Sequence, residues 1–130
     1  MPNFGRQSEY RLRTVECKLQ QLFRKIVMTH DCKILEGHRG EQRQNQYQQT
    51  GRSKVRWPHG QHNSYPSRAV DVAPYPIDWE DTKRFYFFAG YVIAKAEEMG
   101  INLRWGGDWD RDYDLNDQNF MDLVHFELDD

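Results

Sequence analysis

Residues 78–105 read DWEDTKRFYFFAGYVIAKAEEMGINLRW. Phe85, Phe88, Ala89, Val92, Ala96 and Met99 recur at three- and four-residue steps and so line one face of a helix. Asp78 carries an N-cap side chain, able to accept the backbone N–H groups that a first turn leaves unpaired, and Gly100 supplies the stop. INLRW then follows as a short strand. A strong amphipathic helix handing the chain directly to a strand points to a mixed architecture.

Working outward, the same punctuation recurs. Leu12, Val15, Leu19, Leu22, Phe23 and Ile26 form the stripe of a second amphipathic helix whose other face holds Arg and Gln. CKILEGHRG reads as a strand running into a glycine-flanked turn, and EQRQNQYQQTG as a polar helix closed by Gly51, its five glutamines readable as solvated surface. Arg52 to Pro76 is loop-like, rich in Gly, Pro, Ser and His, with one apolar patch, AVDVA, fit for a buried strand. LVHFEL is the last strand candidate. The class is α+β, a small sheet backed by two long helices.

The 130 residues suit one domain, and 14% aromatic content supplies burial that the mean hydropathy of −0.97 would otherwise deny. The net charge of −2 hides a division: residues 1–56 hold 12 basic and 5 acidic side chains, residues 57–130 hold 6 and 15. A basic half can meet an anionic partner such as wall polymer, lipid headgroup or nucleic acid, and an acidic half can hold a cation; alternatively the halves intermix in the fold. The start, MPNFGRQSEYRLRTVEC, has no apolar central region, and no window approaches a membrane span, so a cytoplasmic product is expected. Cys17 and Cys32 form no C-x-x-C pair and are expected to fill the core. No further large apolar stripe remains to be covered, which makes a monomer the expectation.

Five histidines, at 30, 38, 59, 62 and 125, are available as ligands. A catalytic zinc site takes three protein ligands from His, Asp or Glu. HNSYPSRAVD offers His62 in a loop and Asp71 in a strand, DLVHFE offers His125 in another strand, and Asp122 stands where a carboxylate could take a proton from an attacking water. Glu127, on the same strand face as His125, could orient that ring or pair with an arginine. A histidine in an apolar strand is more often a satisfied core residue than a ligand, so both readings stand at this level. Trp105 and Trp109 fit either a site wall or a core position beside a tight turn, and His30 and His38 read as surface or structural residues.

EGHRGEQRQNQYQQTGRSK, HNSYPSRAVDVAPYP, RWGGDWD and FMDLVHFEL, in this order over most of residues 35–128, resemble the zinc peptidoglycan peptidases of the hedgehog/DD-peptidase superfamily. The likeness is greatest to single-domain phage endolysins that act as L-alanyl-D-glutamate peptidases, with D-alanyl-D-alanine carboxypeptidases as relatives. The resemblance implies a small antiparallel sheet packed on two long helices, zinc held by His62, Asp71 and His125, and Asp122 as general base. It further implies that Arg39 binds substrate or steadies the oxyanion with Gln44 as helper, that the substrate is the peptidoglycan stem peptide, and that the enzyme reaches the wall from the host cytoplasm with the help of a membrane-permeabilising protein. The family's usual motif, Ser-x-His-x-x-Gly-x-Ala-x-Asp, is shorter than the nine-residue step from His62 to Asp71, and Gly60 stands at its Ser position. That leaves His59 as a competitor of His62. Asp122, where carboxypeptidase relatives often carry Glu, favours the endopeptidase.

Asp108, Asp110, Asp112 and Asp114 alternate like a calcium loop. An EF-hand needs Gly at its sixth position and Glu at its twelfth, whereas counting from Asp108 gives Tyr113 and Asn119, and from Asp110 gives Leu115 and Met121, which excludes it. A looser regulatory calcium site of the kind known among related endolysins, or a plain solvated loop, remains. The competing classes are a carboxypeptidase, a non-catalytic zinc-containing wall-binding module, and a magnesium nuclease using the aspartates; nucleic acid is not the expected partner.

Overall fold

The computed structural model describes residues 2–53, 55, 57–116 and 121–130. Lys54 and Phe120 of the motif segments, and Asn119 of the calcium count, lie outside the described residues. In chain order the elements are α1 (Arg6–Leu12), α2 (Cys17–Val27), β1 (Cys32–Glu36), α3 (Glu41–Gln49), a 3₁₀ turn (Gln61–Asn63), β2 (Ala69–Pro74), α4 (Thr82–Glu98), β3 (Leu103–Gly106) and β4 (Asp122–Leu128). The strands pair antiparallel in the order β1-β2-β4-β3.

The sheet has one apolar and one polar face, set by period-two alternation. Val70, Val72, Phe126 and Leu128 are buried with Ile34, Leu103 and Trp105 in the core that α2 and α4 complete. Phe23 of α2 and Phe88 of α4 both meet Phe126 edge-on, at centroid distances of 5.5 and 6.3 Å. Such buried rings contribute about 1.5–3 kcal/mol each. Asp71, His125 and Glu127 fall on the opposite face, and that face carries the site.

A bulge adds to it. Ile34 pairs with Val72, but the register then slips so that Glu36 faces Asp71. Without the slip Glu36 would share the core-facing parity of Cys32 and Ile34; one extra residue re-aims it to the polar face. On the outer edge of β1 the backbone of Ile34 is satisfied by α1, donating its N–H to Ser8 Oγ (3.1 Å) and accepting from Arg11 Nη1 (3.0 Å), so the edge is covered.

The structure corrects three sequence expectations. The stripe from Leu12 to Ile26 belongs to two helices, because the chain breaks at 13–16, where Ser67 N donates to Thr14 O and Glu16 N donates to Ser67 O, both at 2.8 Å. Asp81, not Asp78, caps α4, its carboxylate accepting from Arg84 N at 3.3 Å, while Asp78 closes the preceding turn by accepting from Glu80 N at 3.1 Å. Cys17 is exposed; only Cys32 is buried, and burial first, with nearby Asp31, pushes its thiol up to about 12. Both glycine stops are as read: Gly51 and Gly100 take φ of 82° and 73°, and Arg52 N and Ile101 N reach back to Tyr47 O and Ala96 O. The two charge halves interleave, as in the Lys18–Asp130 pair at 3.2 Å.

Candidate metal centre

Asp71 and His125 are direct cross-strand partners on β2 and β4. The 3₁₀ turn brings His62 to them, held by Arg39 N donating to His62 O at 2.7 Å. His62 Nε2 lies 3.1 Å from Asp71 Oδ1 and 3.2 Å from His125 Nδ1, and His125 Nδ1 lies 3.3 Å from Asp71 Oδ1. All three side chains are buried.

The outer partners fix what these atoms can do. His62 Nδ1 is 2.7 Å from the carbonyl oxygen of Gly37, which can only accept, so Nδ1 holds the proton and Nε2 presents a lone pair. His125 Nε2 donates to Glu127 Oε1 at 2.7 Å, leaving Nδ1 bare. Burial opposes ionisation of Glu127, but His125 and Arg104 outweigh it and hold the carboxyl below its usual range. Three acceptors thus converge with no hydrogen to share between neutral rings. Such a triangle attracts positive charge, and its N, N, O donor set is one that could hold a divalent metal ion.

The field agrees. Burial disfavours charge on His125, yet the carboxylates of Asp71 and Glu127, as acceptors, prevail and raise its basicity to about 9, so the cluster draws positive charge to itself, as a proton on the ring or as a metal ion between the three atoms. Burial likewise opposes ionisation of Asp71, but the charge of His62 and the bond to His125 hold it well below the carboxylate range. Asp122 goes the other way: burial, then Asp71, raise its pKa, with His125, His62 and Arg39 partly offsetting them. A carboxylate of raised basicity inside the field of the cluster is what a proton acceptor needs. Its place depends on Gly106, its partner across β3 and β4, where a Cβ would collide with the Asp122 carbonyl oxygen.

Arg39 is buried and engaged. Its Nε and Nη2 donate to Glu36 Oε1 at 3.0 and 2.7 Å, Nη1 donates to Gln44 Oε1 at 2.9 Å, and Nη2 lies 3.5 Å from Asp71 Oδ2. Arg39 therefore holds the outer oxygen of Asp71 while Oδ1 faces the imidazoles. Gln44 is 1% exposed rather than solvated, and its amide nitrogen donates to Ser53 Oγ and Val55 O at 3.0 and 2.6 Å. The amide thus stands behind Arg39 and ties α3 to the following loop.

Of the two competing histidines, His62 enters the cluster and His59 is exposed outside it. His38 Nδ1 lies 3.0 Å from Ser64 O, and His30 packs against Phe88 at 5.1 Å, so both are structural. Glu127 takes both roles read for it, accepting from His125 and, through Oε2, from Arg104 Nη2 at 2.7 Å. Trp109 tilts over His125 at 5.3 Å and walls the site, whereas Trp105 is core, its indole N–H bonded to Leu123 O at 2.8 Å.

Three supporting residues escape sequence reasoning. Glu36 was hidden by the bulge, and Asn63, which donates to Arg39 O at 3.0 Å, by its loop. Gly37 had one available signal, a glycine at a strand end: a Cβ there would collide with Thr14 Oγ1 and the Arg11 carbonyl.

A second group, Asp108, Asp110 and Asp112, also brings three oxygens within 4.8 Å of one another. Asp108 Oδ1 is buried with no donor reaching it among the described residues, and burial, against the Tyr113 backbone bond, raises its pKa.

A family model described as phage L-alanyl-D-glutamate peptidase matches residues 2–129. The chain is 32% identical to the L-alanyl-D-glutamate peptidase of Escherichia phage T5 over 133 residues, 96% of each protein. Among solved structures it is similar to the Serratia marcescens L-Ala D-Glu endopeptidase ChiX, with a TM-score of 0.76 and 27% identity over 97% of this chain and 89% of that one.

Proposed function

The chain belongs to the phage L-alanyl-D-glutamate peptidase family, and from that premise we propose that it is a zinc-dependent endolysin hydrolysing the L-alanyl-D-glutamate bond of the peptidoglycan stem. The observation that carries the zinc reading is the meeting of His62 Nε2, Asp71 Oδ1 and His125 Nδ1, each within 3.3 Å of the others. His62, Asp71 and His125 would hold the ion. Bound zinc supplies Lewis acidity for the scissile carbonyl and lowers the pKa of water.

The chain's own groups do the rest. Asp122 accepts the proton of the attacking water and returns it to the departing amine. Arg39 fixes Asp71 and brings positive charge to the oxygen on which negative charge develops, and Gln44 keeps the guanidinium in place. Gly37 and Glu127 hold the two imidazoles in the tautomers that ligation requires.

The test is incubation of the purified protein with defined muropeptides and mass analysis of the fragments. Cleavage between L-alanine and D-glutamate, lost on chelation and restored by zinc, is expected. Loss of a terminal D-alanine instead would make it a carboxypeptidase. Absence of both stoichiometric zinc and any cleavage would end the reading. Asp122→Ala should fold, keep zinc and lose about 10²–10⁴ in rate; unchanged cleavage in that variant would remove Asp122 as the proton acceptor, whereas a wild-type protein that binds wall and zinc but cuts nothing would be a binding module.

A calcium ion at Asp108, Asp110 and Asp112 is a second reading, supported by the three convergent oxygens and by the buried Asp108 Oδ1, which meets no donor among the described residues. Its role would be regulatory, through the loop that carries Trp109 to His125.

A further inference from the structure

The metal cluster leaves unused a concentration of positive charge at its flank. Tyr47 of α3 is surrounded by three guanidinium groups, with Arg39, Arg52 and Arg43 at 4.4, 4.5 and 5.5 Å from its ring centre. Arg39 is buried and faces the centre, bonded to Glu36 and Gln44 and lying 3.5 Å from Asp71. Arg43 differs from it: Nε lies 2.8 Å from Glu36 Oε2 and Nη2 donates to Tyr47 Oη at 3.1 Å, but its side chain is 59% exposed and nothing bonds Nη1 among the described residues. With Asp71 matched to the histidines, Glu36 and Glu41 leave these three arginines in positive excess. Arg43 is linked to the centre through two side chains, because Glu36 joins Arg43 to Arg39 and Arg39 reaches Asp71.

The substrate supplies a matching anion. A glutamate on the leaving side of the scissile bond uses one carboxyl to continue the chain and keeps the other free, a few bonds from the reacting nitrogen. Resting on the peptidase reading, we infer that Arg43, oriented by Glu36 and Tyr47, binds that free carboxylate and makes the enzyme selective for glutamate over its carboxamide. A guanidinium held by two neighbours with a free edge suits a carboxylate. Arg52, across the Tyr47 ring, adds charge without contact.

The experiment compares two stem peptides that differ only in carrying D-glutamate as free carboxylate or as carboxamide. The wild-type protein should prefer the carboxylate by about tenfold in kcat/KM, the size of one charge-assisted hydrogen bond at a half-exposed site, expressed mainly in KM. In Arg43→Gln the ratio should fall to near one, and in Arg43→Lys to an intermediate value. A merely structural loss, from Glu36 missing a partner, would slow both peptides alike and keep the ratio, which overturns the inference; so does a wild-type enzyme indifferent to the carboxylate. If Arg43→Gln does not fold, the ratio in Arg43→Lys decides, and a wild-type ratio there is equally fatal. A wild-type enzyme that cuts neither peptide defeats the peptidase reading itself, so the two failures are distinct.

Discussion

The His62/Asp71/His125 group and the Asp108/Asp110/Asp112 group each gather three ligand atoms within 4.8 Å, but they are built in opposite ways. The first draws on a loop and two strands up to 63 residues apart, and each side chain is gripped from behind by Gly37, Arg39 or Glu127. The second comes from one loop, with Asp110 and Asp112 exposed and Arg111 and Tyr113 at positive φ of 56° and 65°. Long-range construction yields directed lone pairs in a buried place; local construction yields crowded carboxylates whose mutual repulsion a proton or a cation relieves. The former suits chemistry and the latter suits reversible sensing.

The largest effect that can break this contrast is removal of a ligand. His62→Ala, Asp71→Ala or His125→Ala should lose zinc, by elemental analysis, and reduce muropeptide cleavage to background; a variant active without zinc would erase the distinction. Next comes the grip from behind. Glu127→Gln keeps the size of the side chain but weakens its hold on His125, and should lower zinc affinity or activity about 10–100-fold, read by competition with a chelating dye. Asp108→Asn should abolish a calcium-dependent rise in melting temperature while leaving zinc content intact; if zinc falls as well, the two groups are one coupled site.

The smallest effect lies far from both. Glu9 is held below its ordinary pKa chiefly by its bond to Arg24, which stands 2.6 Å away across α1 and α2. A depressed carboxylate contributes stability that is complete above its ordinary value and is lost as the pH falls through its folded-state value. Glu9→Gln should remove that part of the acid dependence, worth less than about 1 kcal/mol at so exposed a pair, without changing either ion's binding. A larger change would mean that α1 supports the site through β1.

The strands and α4 were legible because their signals are local: alternation in AVDVA and LVHFEL, and the stripe from Phe85 to Ala96 with Gly100 after it. The break between α1 and α2 was not, since Leu12, Val15 and Leu19 stay in helical phase across it, and only Ser67, far along the chain, reveals that Thr14 and Glu16 bond elsewhere. The same limit applied to the candidate centre. Spacing left His59 beside His62, and the choice depends on a contact with Gly37. Composition left Gln44 among five glutamines readable as solvated surface, and only the resemblance set it beside Arg39; nothing nearby in sequence says that Ser53 and Val55 complete its enclosure.

Strand β4 comes last among the elements yet sits inside the sheet, between β2 and β3. During synthesis the ribosome therefore releases the first two members of the triangle long before the third, and two strands wait with open edges for the piece that joins them. A chain clipped before β4 would lack the third side chain of the triangle together with the strand that joins β2 to β3, and is expected to hold no ion.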